Sequence, residues 1–454
     1  ESFQTPEVVM VYSNDGLNKM SQTYHKLYQR RLARGKYRDQ VRPILVNNWE
    51  ATYFDFDEEK IMDIAGTAQK LGIELFVLDD GWFGKRNNDV AGLGDWYPNL
   101  QKLPSGISGL SRKINNLGMK FGLWFEPEMV NKNSDLYRNH PQWILETPNR
   151  PSSHGRNQFV LDFSNPEVVI YVYNMMTEVI DKANISYIKW DMNRCMTEVY
   201  SSCHDSESQG RVMHEYILGV YQLYELLTSR FPEILFESCA SGGARFDPGM
   251  MYYAPQCWTS DDTDALERLK IQYGTSMVYP VSSLGAHVSA APNHQLLRNT
   301  PIETRANVAY FGTFGYELDL NKLSMDEQIK VKEQITFMKD YREIIQFGTF
   351  YRLKSPFEGN ETVWMVVSQD QNTAIIGYYR TLQEVNVGYR RVKLLGLDPD
   401  KEYHVNLNNT VHYGDELMNL GLITTDSSCG ENKEKYDGTN GDYLSRIYVL
   451  KAKI

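Results

Sequence analysis

The sequence predicts an α/β chain, a (β/α)8 TIM barrel followed by a C-terminal antiparallel β-sandwich. Short apolar runs alternate with helix-spaced stretches about eight times over roughly 250 residues, the rhythm of repeated βα units. The runs are near-continuously apolar rather than alternating, as parallel strands covered on both faces must be. After about Phe347 the pattern changes to short strands separated by turn residues. A doubly wound open sheet would instead place a Gly-rich phosphate turn after the first strand, and none is present.

Run 44–49 (ILVNNW) opens the series and precedes a helix over 57–71. Run 74–80 (ELFVLDD) precedes a helix over 110–117. Runs 120–125 (KFGLWF) and 159–163 (FVLDF) follow as the third and fourth. A helix over 168–183 leads into 187–191 (YIKWD), and one over 212–231 leads into 234–238 (ILFES). Run 256–261 (QCWTSD) is backed by a helix over 265–273, and an eighth run falls between 277 and 288. A charged helix over 325–345 links the two parts. Strands are then expected at 362–369, 373–380, 388–394, 402–407 and 443–451, with a surface loop over 424–442. The expected domains are therefore 1–345, the barrel, and 346–454, the sandwich.

Composition narrows the function. The 454 residues carry 47 Lys and Arg against 58 Asp and Glu, a net charge of −11, so a nucleic-acid partner is not expected. No apolar run approaches the roughly 18 residues needed to span a bilayer, and no membrane role is expected. The five cysteines, Cys195, Cys203, Cys239, Cys257 and Cys429, show no zinc spacing. Their sparsity fits a reducing compartment, and a cytoplasmic location is expected. The chain begins at Glu1 with no basic-then-apolar leader, which reads as a piece of something longer or as processing. Aromatic residues make up 12%, which suits sugar contacts as well as a large barrel core.

In a TIM barrel the polar residues at the C-terminal strand ends face the active site. That rule selects Trp49, Asp79, Asp80, Trp124, Glu126, Glu128, Lys189, Asp191, Glu237, Cys239, Asp261 and Asp262. Carboxylates beside indole plates are a sugar-binding set, and two carboxylates flanking an acetal can split it. Turn or capping roles suit any one of these acids, but six strand ends carrying them together point to a site. Acids alone could hold Mg²⁺, yet Lys189 puts a competing cation on the same strand face as Asp191, so neither metal nor cofactor is expected. His287 near a strand end reads as a packing residue.

The motifs LDDGWFGKRNND (78–89), GLWFEPEMV (122–130), YIKWDMNR (187–194), ESCASGGARFDPGM (237–250) and WTSDDTDALERLKIQYGTS (258–276) resemble bacterial α-galactosidases of glycoside hydrolase family 36, the melibiases. The resemblance runs over essentially the whole chain. It implies a retaining exo-α-galactosidase acting on oligosaccharides such as melibiose and raffinose. By resemblance Asp191 matches the nucleophile, Asp261 the general acid/base, and Asp79 with Asp80 the acids that hold the axial 4-OH and the 6-OH. Trp124 matches a stacking indole, while Trp49, Arg156, Lys189, Asn193, Cys239 and Gly242 match residues lining the sugar pocket. Lys189 is expected to keep Asp191 ionised, and a dry site or the charge of Asp262 to keep Asp261 protonated. Asp262 is the alternative acid in the same turn, but position after the WTS strand favours Asp261. Full-length relatives carry an N-terminal β-domain, expected to be missing here, and are often tetramers. Alternatives within the superfamily are an α-N-acetylgalactosaminidase and a raffinose-synthase-like transferase. The tight CxxG segment favours a 2-OH over an acetamido group. A silent sugar-binding protein would be expected to lose one catalytic acid, and both are present.

Overall fold

Eight parallel strands close on themselves in chain order, each beside its sequence neighbours. They are β1 (Leu45–Asn47), β2 (Leu75–Leu78), β3 (Lys120–Phe125), β4 (Tyr187–Trp190), β5 (Leu235–Ser238), β6 (Gln256–Trp258), β7 (Leu284–Ser289) and β8 (Thr313–Glu317). This computed structural model describes residues 2–385, 388–407, 409–424 and 441–453. Leu45, Leu75, Val77, Tyr187 and Leu235 form one apolar cluster, the floor of the barrel. Side chains alternate along a strand, so residues two positions further on point the same way. Asn47, Asp79, Lys189 and Glu237 occupy those positions, which makes the layer above the floor polar. Gly122 on β3 leaves room for this floor, since a Cβ there would lie 3.0 Å from the Tyr187 side chain.

Local chemistry fixes the surrounding helices. Asp57 caps helix Glu58–Leu71 by accepting from Lys60 N, and Gly72 closes it at φ 95°. Asn165 caps Pro166–Lys182 ahead of a proline in the first turn, and Asp264 caps Ala265–Thr275.

The strand count comes out as expected, but two members differ. FVLDF is not a barrel strand. Its first residues, Phe159–Val160, pair antiparallel with Met129–Val130 as a ribbon over the barrel mouth. The physical reason is the connection: it carries only two short helical segments, Asp135–Asn139 and Pro141–Trp143, and no long helix to return the chain as a parallel strand. The run between 277 and 288 supplies β7, and the eighth strand is Thr313–Glu317, which closes onto β1 through Gly315 and Tyr316.

Helix Met325–Phe347 then leads to an antiparallel sheet. Its strands are β9 (Thr349–Lys354), β10 (Glu361–Val367), β11 (Thr373–Arg380), β13 (Glu402–Val405), β14 (Thr410–Tyr413) and β16 (Leu444–Ala452), in the order β9-β10-β11-β16-β13-β14. The two remaining strands, β12 (Arg391–Val392) and β15 (Leu422–Ile423), pair as a separate ribbon. Alternation again sorts the faces. Trp364, Val366, Ile375 and Tyr379 join the barrel core, whereas Val363, Met365, Ile376 and Tyr378 pack with Val392 and Leu422 in a second core. The surface loop expected over 424–442 lies almost wholly outside the described residues, as does Cys429.

Candidate active site

The turn after β2 carries the first two acids. Asp79 is buried, and its Oδ2 accepts from Asn47 Nδ2 at 2.6 Å and from Lys189 Nζ at 2.8 Å. Its Oδ1 accepts the backbone N–H of Asp80 at 2.9 Å. Burial raises the Asp79 carboxyl above its ordinary value, and Lys189 opposes that rise. Three donors converge on the group and oppose that rise. Asp80 is gripped in a fork by Arg86, Nε at 3.0 Å and Nη2 at 2.8 Å. Arg86 is a buried cation that the strand-end rule did not select.

Asp191 lies one residue beyond β4. Its Oδ2 accepts from Trp124 Nε1 at 3.2 Å and Asn193 Nδ2 at 2.8 Å, and its Oδ1 from Met192 N at 2.8 Å. Lys189 gives its hydrogen bond to Asp79, two strands away, and reaches Asp191 through its charge. The register explains how: Trp124, Lys189 and Glu237 are level on adjacent strands, so Lys189 shares the inward-facing layer with Asp79. The Trp124 indole is buried, parallel to Phe83 at 6.1 Å between centroids, and offers its N–H to Asp191. Trp49 opens the short helix after β1 and is half-buried, edge-on to Tyr53 and Phe54.

Asp261 stands three residues beyond β6, open to water on one side and ringed by protein on the others. Trp258 Nε1 donates to its Oδ1 at 3.1 Å. Loss of water raises its pKa, and the charge of Asp191 raises it further. Asp262, the expected source of that charge, turns away: its Oδ1 accepts from Asp264 N at 3.0 Å. The turn is held by buried Arg268, whose guanidinium bonds the carbonyls of Ser260, Asp262 and Gly285. Gly242, at φ 85°, packs directly on this turn, where a Cβ would sit 2.5 Å from Ser260 Cα. Cys239 is buried, and its thiol is pushed well above the usual range by burial and then by Asp191 and Asp261. Arg156 stands apart, exposed on the loop before the Phe159–Val160 ribbon at φ 52°.

Three acids complete the surroundings. Burial, reinforced by Asp191, pushes Glu126 up to about 8. Glu50, next to Trp49, is likewise pushed up to about 8 by burial and then by Glu317. Glu317 ends β8 and meets His287 Nδ1 at 3.1 Å. Burial opposes its ionisation, but the His287 bond and the Lys189 charge hold it low. Glu50 and Glu317 were not picked from the sequence. The signal for Glu50 was its place one residue after the first strand end, whereas Glu317 sits on the strand the pattern missed. Glu128, by contrast, is occupied by Arg245, Trp190 and Tyr216 and serves to tie the barrel wall together.

Comparison with known proteins places this geometry. The melibiase family model matches residues 2–348, and the glycosyl hydrolase family 36 C-terminal domain matches residues 361–450. The chain is 56% identical over 452 residues to alpha-galactosidase AgaA of Geobacillus stearothermophilus, covering 100% of this chain and 60% of that protein. It is 48% identical over 453 residues to alpha-galactosidase Mel36A of Lactobacillus acidophilus, again covering 100% and 60%. The crystal structure of AgaA superposes with a TM-score of 0.95 over 100% of this chain and 61% of that one. AgaA variants have been solved in complex with raffinose and with stachyose. The alpha-galactosidase of Lactobacillus brevis, 50% identical, gives a TM-score of 0.94 over 97% of this chain and 59% of that one. The chain thus spans about 60% of the length of the curated relatives it matches first.

Proposed function

This chain belongs to glycoside hydrolase family 36, and from that premise we propose that it carries the catalytic barrel of a retaining exo-α-galactosidase. One observation carries the reading: two acids at nearby strand ends feel each other's charge in unlike surroundings. Asp191 is held by three hydrogen-bond donors, whereas partial loss of water and the charge of Asp191 raise the pKa of Asp261. Such a pair suits double displacement. Asp191 attacks the anomeric carbon while Asp261 gives its proton to the leaving glycosidic oxygen. The C1–O bond breaks and a β-galactosyl ester forms on Asp191. Asp261 then takes a proton from water as the water oxygen attacks C1, the ester bond from C1 to Asp191 breaks to return its carboxylate, and galactose leaves with its α configuration retained.

Asp79 and Asp80 are the acids we assign to the axial 4-OH and the 6-OH, with Trp49, Trp124, Arg156, Lys189, Asn193, Cys239 and Gly242 as the further lining. The close seat of Gly242 on the Asp261 turn leaves little space beside the 2-position, which favours galactosides over N-acetylgalactosaminides. The complexes of the AgaA variants support raffinose and stachyose as substrates, and melibiose has the same terminal linkage. We further propose a boundary at 345/346, a homo-tetramer in the full-length form and a cytoplasmic location. The four cysteines among the described residues are free, which suits that compartment, and no described helix is long and apolar enough to cross a membrane.

The test is chemical rescue. Asp191→Ala should lower turnover of p-nitrophenyl α-galactoside by several orders of magnitude, and azide should restore release with a β-galactosyl azide product. Full activity in that variant, or an α-azide, would overturn the double displacement.

A further inference from the structure

Glu126 follows β3 directly and is fully buried. Its Oε1 accepts the backbone N–H of Asn193 at 2.5 Å, and its Oε2 faces Gln158 Nε2 at 3.0 Å. Asn193 in turn donates Nδ2 to Asp191 Oδ2 at 2.8 Å. One carboxyl therefore fixes the backbone of the residue that clamps an oxygen of Asp191.

Several charges surround it. Asp191 lies beyond Asn193. Asp80 and Arg86 approach from the turn after β2 as a closed pair. Tyr216 comes from helix Val212–Arg230, where it bonds Glu128 at 2.6 Å, and Glu128 is itself neutralised by Arg245. Arg194 bonds the Gln158 carbonyl at 2.9 Å rather than Glu126. Among the described residues no cation forms an ion pair with Glu126, and Arg86 acts on it only from a distance.

Gln158 supplies a second observation. It is buried, and its side-chain oxygen has no hydrogen-bond partner. One end of this amide is unpartnered whichever way it is turned, so it can present either end to Glu126. The N–H₂ suits a carboxylate, and the oxygen suits a carboxylic acid.

We propose that Glu126 is a positioning residue for Asp191: as a protonated carboxyl donating to the Gln158 side-chain oxygen, it holds the Asn193 backbone in place without setting a second negative charge beside the nucleophile. The proposal rests on the reading of Asp191 as nucleophile. Burial and the charge of Asp191 push Glu126 up to about 8, in keeping with a proton held at neutral pH.

The test uses Glu126→Gln and Glu126→Ala in the intact protein. Glu126→Ala frees the Asn193 backbone and should lower kcat on p-nitrophenyl α-galactoside about 100-fold with little change in KM. Glu126→Gln is neutral, with one acceptor and one donor, and should recover kcat to within about tenfold of the parent. The infrared difference between parent and Glu126→Gln at neutral pH should show a protonated-carboxyl stretch present only in the parent. A kcat for Glu126→Gln as low as for Glu126→Ala, or no such band, overturns the proposal. The band decides the matter even where Glu126→Ala does not fold. Azide rescue of Asp191→Ala separates the two readings. A β-galactosyl azide with no infrared band defeats only the role of Glu126, whereas no azide product defeats the nucleophile assignment.

Discussion

Lys189 Nζ lies 2.8 Å from Asp79 Oδ2, with both side chains buried and the two residues 110 positions apart in the chain. A buried pair of this kind is costly to break from one side, because the remaining charge has no water to turn to. Lys189→Ala should therefore destabilise the fold by about 3–5 kcal/mol. Adding Asp79→Asn should recover part of that loss, since the stranded charge is gone. Urea unfolding of the two single variants and the double variant measures the coupling. Strictly additive losses would mean that the two side chains are not acting as a pair.

The pH dependence follows from Asp261. Its pKa is raised by loss of water and then by the negative charge of Asp191. It must be protonated to assist the leaving group, so activity should fall as pH rises through that raised value. Removing the Asp191 charge removes one of the two causes. In Asp191→Ala rescued with azide, the alkaline limb should therefore move to lower pH than in the parent. Substrates with a good leaving group that needs no proton should show little of this limb. An unmoved limb in the rescued variant would break the link between the two acids.

Stability should also fall towards alkaline pH. Burial and the Glu317 charge push Glu50 up to about 8, where it accepts from Thr263 Oγ1 at 2.7 Å and Ala290 N at 3.2 Å. The folded chain keeps a proton that the unfolded chain gives up near the ordinary Glu value of about 4.3. Its contribution is therefore complete below that value and is lost as pH rises to the folded value. Glu126 acts in the same direction. Between about pH 5 and pH 8 the loss from Glu50 is on the order of 3 kcal/mol, and Glu50→Gln should flatten the decline. Urea midpoints across that range report it, and an unchanged slope in Glu50→Gln would count against the buried proton.

These relationships divide by how much of the chain they need. Asp79, Lys189 and Asp191 could be picked from the sequence because period two along a strand and the end of an apolar run are local properties. The partner of Lys189 could not. The chain sets Lys189 two residues from Asp191, but barrel closure brings Asp79 across to it. Glu126 and Glu50 show the same limit, since their partners come from other strands' loops, whereas Arg86 meets Asp80 within one loop. The eighth strand was missed because TFGYE carries little apolar signal of its own. Gly315 within it is chosen by a neighbour: a Cβ there would lie 2.8 Å from the His287 ring. FVLDF failed in the opposite way, as a strong apolar run spent on a two-residue ribbon.

The contact of Gly242 with Ser260 gives the sharpest mutational expectation. Two constraints coincide there. The backbone sits at φ 85°, which residues with a Cβ adopt at a cost of about 1 kcal/mol or more. A Cβ would also approach Ser260 Cα at 2.5 Å and Asp261 N at 2.8 Å, both backbone atoms that cannot swing aside. The Asp261 turn must therefore move if Gly242→Ala is to fit. Arg268 holds the other side of that turn through the carbonyls of Ser260 and Gly285, so the shift falls on the carboxyl of Asp261. A displacement near 1 Å at a proton donor costs on the order of 100-fold in rate. Gly242→Ala should accordingly lower kcat for a poor leaving group such as raffinose by about that factor, with a smaller loss for an activated aryl galactoside that needs less acid assistance. The comparison of the two substrates is the measurement. Equal losses on both would place the damage at sugar binding rather than at the proton donor.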